Sequence, residues 1–354
     1  MLLRIRFLVI ALVLASSCAS ATGLFRAYVS PTGSDANDCT LPHPCRLLPK
    51  AISAIAAGGE IWMLDSANYN TSQVNVDRSV TILAVPGAIG SVVATNGGDA
   101  IFVGTPGIKV ALRNLVIVRL GTGNDGVGID QAAELDVEDC EISNMSSSGI
   151  AAFDAAARVR VTSTRLRGNN NGIYARGAVV VSLDHILANG NTTAGVYADT
   201  GATVNVANSD FNQNGKGLYA IGAMLAIDRS HGDSNATAGV HVDTSSNVTI
   251  SESRFANNGT YGVLAQASPG GAFITSVSAI RNTVSGGSAG FRVSALAGSS
   301  VELFADGNRC DRCNYAFSFA NAGGGEYVFT HANNTVTAAD VTQGGSLNPA
   351  GSFY

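Results

Sequence analysis

A chain of 354 residues with only 13% charged side chains and 41 glycines is long enough for two ordinary domains, yet it suits close-stacked small side chains in one elongated body. Its 21 basic and 26 acidic residues become 19 and 26 once Arg4 and Arg6 leave with the N-terminal leader. That balance disfavours nucleic acid as a partner.

Residues 1–21 carry Arg4 and Arg6, the apolar run Phe7 to Ala15, and small residues ending in Ala19-Ser20-Ala21. This is the pattern of a secretory signal peptide. Nine apolar residues are too few to cross a bilayer, so no transmembrane helix is expected. Export to the periplasm, the medium or the outer surface is the expectation. Ala15-Ser16-Ser17-Cys18 also resembles a bacterial lipoprotein cleavage box, which would anchor the chain by a lipid at Cys18.

Residues 22–60 read as a strand, a loop and a short capping helix. Phe25 to Ser30 is the strand, and PTGSDANDCTLPHPC is the loop. Within it Asp35, Asn37 and Asp38 have a spacing that Ca²⁺ could use. No bidentate Glu comes after them, so turn formation by their side chains is the expected role and no cofactor is assigned. Leu47 to Ala57 places Leu48, Ile52 and Ile55 at helical spacing. Gly58-Gly59 is read as the end of that helix, which would cover the open end of the strands beyond it.

From residue 61 to 335 the chain repeats. A Gly followed by an aliphatic residue recurs at Gly128, Gly149, Gly172, Gly195, Gly217, Gly239, Gly262 and Gly290, with differences of 21, 23, 23, 22, 22, 23 and 28. A period near 22 is that of a solenoid. Apolar and polar residues alternate within each unit, as at Val159, Val161, Thr164 and Leu166, which is strand periodicity. Each unit thus carries about three short strands, with corners made by Gly, Asn, Asp and Ser. The interval of 28 requires insertions, placed at Gln266–Gly271 and Thr283–Ser288. Residues 336–354 read as a polar tail.

Asparagines recur two or three residues after a second apolar anchor: Asn144, Asn169, Asn189, Asn214, Asn257 with Asn258, and Asn282. On this repeat and these asparagines the chain resembles the right-handed parallel β-helix proteins of the pectin-lyase-like superfamily. The resemblance covers Ile61 to Thr335 and implies an all-β, single-stranded solenoid of about ten or more coils. It also implies that the asparagines stack inside a turn, each amide bonding to the coils on both sides. Residues 22–60 resemble the segment that often precedes secreted β-helices.

In an oxidising compartment Cys39 with Cys45, and Cys310 with Cys313, are close enough in sequence to clip a loop and a turn. No second ligand pair accompanies the C-x-x-C, so no metal or redox role is assigned. Cys140 falls where later coils carry Thr164, Ser209 and Ser253, and is expected to be a buried thiol. His231 aligns with Phe211 and Phe255 and is expected inside.

After each Gly anchor the aliphatic residue points inward and its successor outward. The outward row reads Asp130, Ala151, Tyr174, Tyr197, Tyr219, His241, Leu264 and Arg292, and beside it run Phe153, Arg176, Asp199, Ile221 and Asp243. An aromatic stripe flanked by Arg and Asp suits a polysaccharide, with sugar faces on rings and hydroxyls on polar groups. Tyr174, Tyr197, Tyr219, Arg176 and Asp199 are the candidate binding residues. The resemblance implies that this sheet is the saccharide-binding face.

Catalysis has a thinner basis. Tyr219, His241, Asp243 and Arg292 could together abstract and return a proton, as a polysaccharide lyase requires. Asp199 and Asp243 lie two coils apart, about 10 Å, too far for one Ca²⁺ and just beyond the spacing for inverting hydrolysis. The sequence therefore points first to a polysaccharide-binding β-helix without established catalysis. The alternatives are a lyase or glycoside hydrolase on an acidic polysaccharide, and a purely structural surface solenoid. Nothing in it sets an oligomeric state.

Overall fold

The computed structural model describes residues 23–349, apart from 132, 154–155, 269–272, 321, 332 and 338–339. The leader and Cys18 lie outside the described residues. So do 350–354.

Each unit of the repeat forms one coil of three parallel strands, shown by Val180–Asp184, Leu187–Asn189 and Ala194–Ala198. Every strand pairs with its counterparts in the coils before and after it. Among the described residues the first sheet has fourteen strands and the third twelve, while the second is split into seven and four. The split falls at His231, which makes only single bridges to Asp210 and Arg254. The inward column of the third sheet, Val127, Ile150, Ile173, Val196, Leu218, Val240 and Val263, is buried throughout.

A column of glycines lets the coils close up. A Cβ on Gly172 would sit 2.4 Å from the Gly195 carbonyl oxygen, and one on Gly217 would sit 2.4 Å from that of Gly239. Nothing larger than hydrogen fits, which is why the anchor recurs. At the N-terminal end of this column the structure corrects the reading of the sequence. Gly128 pairs with Ala151, so Gly126 is the equivalent of Gly149, and Asp130 moves to the neighbouring row. Gly126-Val127 and Gly128-Ile129 are the same dipeptide pattern two residues apart, and only pairing separates them.

Two ladders line the corners. Between the second and third sheets, the backbone N–H groups of Met145, Asn169, Asn191, Asn214 and Asn235 donate to the side-chain oxygens of Asn169, Asn191, Asn214, Asn235 and Asn258, at 2.9 to 3.0 Å. Their amide groups donate back to an earlier coil, as from Asn191 to the Leu166 carbonyl at 3.1 Å. Asn144, expected here, is exposed, and Asn189 is only half-buried. In that coil the core anchor is Ala188, which pairs with Leu166 and Phe211, so the ladder residue three after it is Asn191 rather than Asn189.

Asn282 belongs to the other corner, between the first and second sheets. There Thr164, Ser209, Ser230 and Ser253 accept N–H groups from the preceding coil through hydroxyls. Asn282, Asn308 and Asn334 continue the series through amides. Cys140 occupies this column as expected, and burial pushes its thiol up to about 12.

Several local readings change under tertiary pairing. The helix is Leu48–Ala54, and Gly58-Gly59 lies within the strand Ile55–Met63, which is drawn out by pairing with Leu24–Val29. The extra residues before Gly290 fall between Tyr261–Ala267 and Ile274–Ile280. Thr283–Ser285 is instead a regular strand on Arg254–Ala256. Paired strands continue past Thr335, at Asp340–Gln343 and Asn348–Pro349, with Val336 and Leu347 packed on the core. Cys39 is bonded to Cys45 and Cys310 to Cys313. His231 is exposed and paired with Asp210 at 2.8 Å, and Gly232 takes the place beneath Phe255.

The ladder predicts an asymmetry between two residues two positions apart. Asn191→Ala strands the buried Asn169 N–H and should cost roughly 2–3 kcal/mol, whereas Asn189→Ala should cost no more than about 1 kcal/mol. Chemical denaturation midpoints check this, and equal losses would refute the register.

Candidate functional site

The outward row of the third sheet is set by strand pairing: Phe102, Gly128, Ala151, Tyr174, Tyr197, Tyr219, His241, Leu264 and Arg292 lie side by side on successive coils. The tyrosine stripe is therefore real. Ring centroids are 5.1 Å apart for Tyr174 and Tyr197, 4.8 Å for Tyr197 and Tyr219, and 4.7 Å for Tyr219 and His241. Phe153 meets Tyr174 edge-on at 5.5 Å and starts the series.

The stacking changes how such a stripe can be used. Tyr197 and Tyr219 are within 26° of parallel, so each ring covers the face of its neighbour. The faces of these two rings are thus turned toward each other along the solenoid axis rather than left open. Tyr174 spends its hydroxyl on Asp199, at 2.8 Å. The hydroxyls of Tyr197 and Tyr219 have no partner among the described residues.

Charges flank the stripe on both sides. Arg176, on the row beside it, lies 3.9 Å from Asp199. Burial works against the charged form of Asp199, but hydrogen bonds from the Thr200 N–H and from the Tyr174 and Thr200 hydroxyls outweigh it and hold the carboxyl below its ordinary value. On the other side the Lys216 ammonium stands 4.5 Å over the Tyr219 ring and has no carboxylate partner among the described residues. Burial raises Tyr197 and Tyr219, and raises Tyr174 to about 12, so the rings stay uncharged near neutral pH.

The proposed proton-transfer group is only half assembled. His241 and Asp243 sit on one strand beside Tyr219 and Ile221. Burial lowers His241 to about 4, Lys216 lowering it further and Asp243 opposing, and its Nε2 is enclosed without a hydrogen-bond partner. Asp243 is occupied, accepting from the Thr244 N–H and hydroxyl at 2.8 Å each, from Gln266 at 2.8 Å and from Ser268 at 3.2 Å. Arg292, expected nearby, stands two coils from His241 and bonds to Ser318 at 2.6 Å. Asp199 and Asp243 are likewise separated by the coil of Ile221.

Two groups escaped the sequence reading. Lys216 is one, and the other is the pair Asp99 and Asp125 on the entering edge of the same sheet. Asp99 accepts the Asp125 N–H at 3.2 Å and Asp125 accepts the Ser148 N–H at 2.5 Å. Burial raises both carboxyls, and Asp125 raises Asp99 further. All three precede the inward aliphatic residue by two positions, the signal that would have found them. In the N-terminal loop Asp35 accepts the Arg46 and Leu47 N–H groups at 2.9 Å, and Asp38 caps Thr40. Among the described residues no three His, Cys, Asp or Glu side chains gather as metal ligands.

The stacked parallel coils define the class: the chain has a right-handed parallel β-helix fold. Residues 74–225 match the family model described as right handed beta helix region. Among solved structures the chain is similar to the Azotobacter vinelandii mannuronan C-5 epimerase AlgE4 A-module, at 16% identity and TM-score 0.63 over 84% of this chain and 91% of that one. It is also similar to pectate lyase Pel9A, at 12% identity and TM-score 0.55 over 89% and 79% of the two chains. The alginate lyase from Paenibacillus sp. str. FPU-7 gives 14% identity and TM-score 0.54 over 88% and 99%. At these identities the likeness is one of fold. No curated protein sequence matches the chain.

Because the folded pKa of His241 is about 4, below the 6.5 of the free side chain, its contribution to stability is complete above about pH 6.5 and is lost as pH falls toward 4. The wild type should lose about 3 kcal/mol over that range that His241→Gln does not lose. Denaturation midpoints across pH check this; parallel curves would mean that His241 is not buried neutral.

Proposed function

We propose that the protein is an exported β-helix that binds a polysaccharide along the Tyr174, Tyr197 and Tyr219 stripe, without turnover. The observation that carries this is the pair of unpartnered hydroxyls on Tyr197 and Tyr219, held in register between Arg176 and Lys216. Successive coils are about 4.8 Å apart, so the stripe offers one hydroxyl per coil to a chain lying along the axis. Arg176, Lys216 and Asp199 add polar partners at its sides, and the rigid stack costs no ordering on binding. The structurally similar mannuronan epimerase, pectate lyase and alginate lyase support a polysaccharide ligand. Two disulfides support export, since such bonds persist in oxidising compartments. Among the described residues no helix is long and apolar enough to cross a membrane.

A lyase or hydrolase is the second reading, favoured by the neutral imidazole of His241, the protonation state a base requires. Against it stand the enclosed Nε2, the protonated Tyr219 phenol and the distance to Arg292. Binding is therefore the stronger reading.

Conservative substitution separates binding from a role in the fold. Tyr197→Phe and Tyr219→Phe keep the stack and remove only the hydroxyl, so each should weaken polysaccharide affinity by about 0.5–1.5 kcal/mol with the melting temperature unchanged. Affinity electrophoresis in acidic and neutral polysaccharides, with thermal melts alongside, reads both. Unaltered retention in both variants would leave the stripe to the fold alone. New unsaturated or reducing ends produced by the wild type and lost in His241→Ala would establish the enzyme instead.

A further inference from the structure

The first sheet, on a different face of the solenoid from the tyrosine stripe, carries a groove of about 360 Å³. It exists because the outward residues on five successive coils shrink after Arg160 to Ser182, Asn205, Ala226 and Thr249. Ser182, Asn205 and Thr249 are exposed, and none of their side chains has a hydrogen-bond partner among the described residues. One edge of the groove is formed by Asp184 and Asp228, which belong to the next outward row.

We infer that this groove is a second saccharide site, one that takes a neutral oligosaccharide lying along the solenoid axis. The floor presents a hydroxyl, an amide and a hydroxyl in a line, at multiples of about 4.8 Å. Such groups both donate and accept, which is what the hydroxyls of a sugar chain require. From Arg160 to Thr249 the row spans about 19 Å, room for several sugar units.

The edge argues for a neutral ligand. Asp184 is held by Asn208 and His185 at 2.9 Å each, and Asp228 accepts from Ser251 at 2.8 Å and pairs with Arg229. Both carboxylates line the groove, and among the described residues its one cationic lining side chain is Arg160, at one end, where it acts on Asp184. A polyuronate would set its carboxylates against Asp184 and Asp228 with Arg160, at one end, as the single lining cation to compensate. The stripe differs here, since Arg176 and Lys216 flank it. An extended peptide is disfavoured for another reason. The strands from Arg158–Thr162 to Asn247–Ser251 are paired on both edges, so none can accept an added strand.

The test is calorimetric titration of the folded protein with β-linked hexasaccharides of glucose, mannose and xylose, and with hexamannuronate. At least one neutral hexasaccharide should bind, Asn205→Ala should weaken it at least fivefold, and Ala226→Trp, which fills the groove, should abolish it. The double variant Tyr197→Phe, Tyr219→Phe should leave that affinity within twofold. Loss of neutral binding in the tyrosine variant but not in the groove variants would overturn the second site and leave the stripe standing. Binding of hexamannuronate alone would do the same. Wild-type protein that binds none of the four sugars would overturn the groove, and failure in polysaccharide gels as well would overturn the stripe.

Discussion

Everything on the surface of this molecule depends on a backbone N–H at each corner finding a side-chain oxygen one coil away. A corner buried between two sheets cannot bond to water, and an unpaired N–H there costs as much as the hydrogen bond it forgoes. Asn169, Asn191, Asn214, Asn235 and Asn258 supply the oxygen at one corner, and Thr164, Ser209, Ser230, Ser253, Asn282 and Asn308 at the other. Because each bond joins one coil to the next, a slip of one residue would break the series and turn every inward side chain out. Register is thus pinned by side chains at both corners, with Ile186 the one break in the hydroxyl series between Cys140 and Ser253, and the outward rows inherit it.

That inheritance explains why residues some twenty positions apart meet as a stripe. Tyr174, Tyr197 and Tyr219 are adjacent because Ile173, Val196 and Leu218 are stacked behind them and glycines before those let the backbones close. The stack gives rigidity and takes away accessible ring faces, leaving edges and hydroxyls. Chemistry suffers from the same geometry. A flat sheet spaces side chains by whole coils, so Asp199, Asp243 and Arg292 cannot converge without a loop to bring them together. Binding by repetition is what a regular solenoid does readily, and convergence on one atom is what it does poorly.

The sequence carried the solenoid and its period, since a repeat near 22, alternation and recurring glycines have few other solutions. What it did not carry is decided by pairing between coils. Gly126 and Gly128 are interchangeable as dipeptide signals, and only the partner strand selects the first. Asn189 and Asn191 are equally good turn residues, and the pairing of Ala188 with Leu166 and Phe211 is what puts Asn191 in the ladder. His231 was misplaced by one position because Gly232 fills a core slot where other coils have Phe211 or Phe255. The stripe was readable because it depends on the period alone. Lys216, the Asp99 and Asp125 pair and the groove over Ser182 and Asn205 were not, since each depends on the sizes and bonds of neighbours in other coils.

The central claim is that one face of a regular stack, through hydroxyls presented once per coil, contacts a polysaccharide. Hydroxyl-radical footprinting with and without bound polysaccharide tests it most directly, because tyrosines label strongly and Tyr327, exposed on another sheet, serves as an internal reference. The account predicts that Tyr197 and Tyr219 lose most of their labelling on binding while Tyr327 does not change. Equal labelling of all three in the bound and free protein would contradict it.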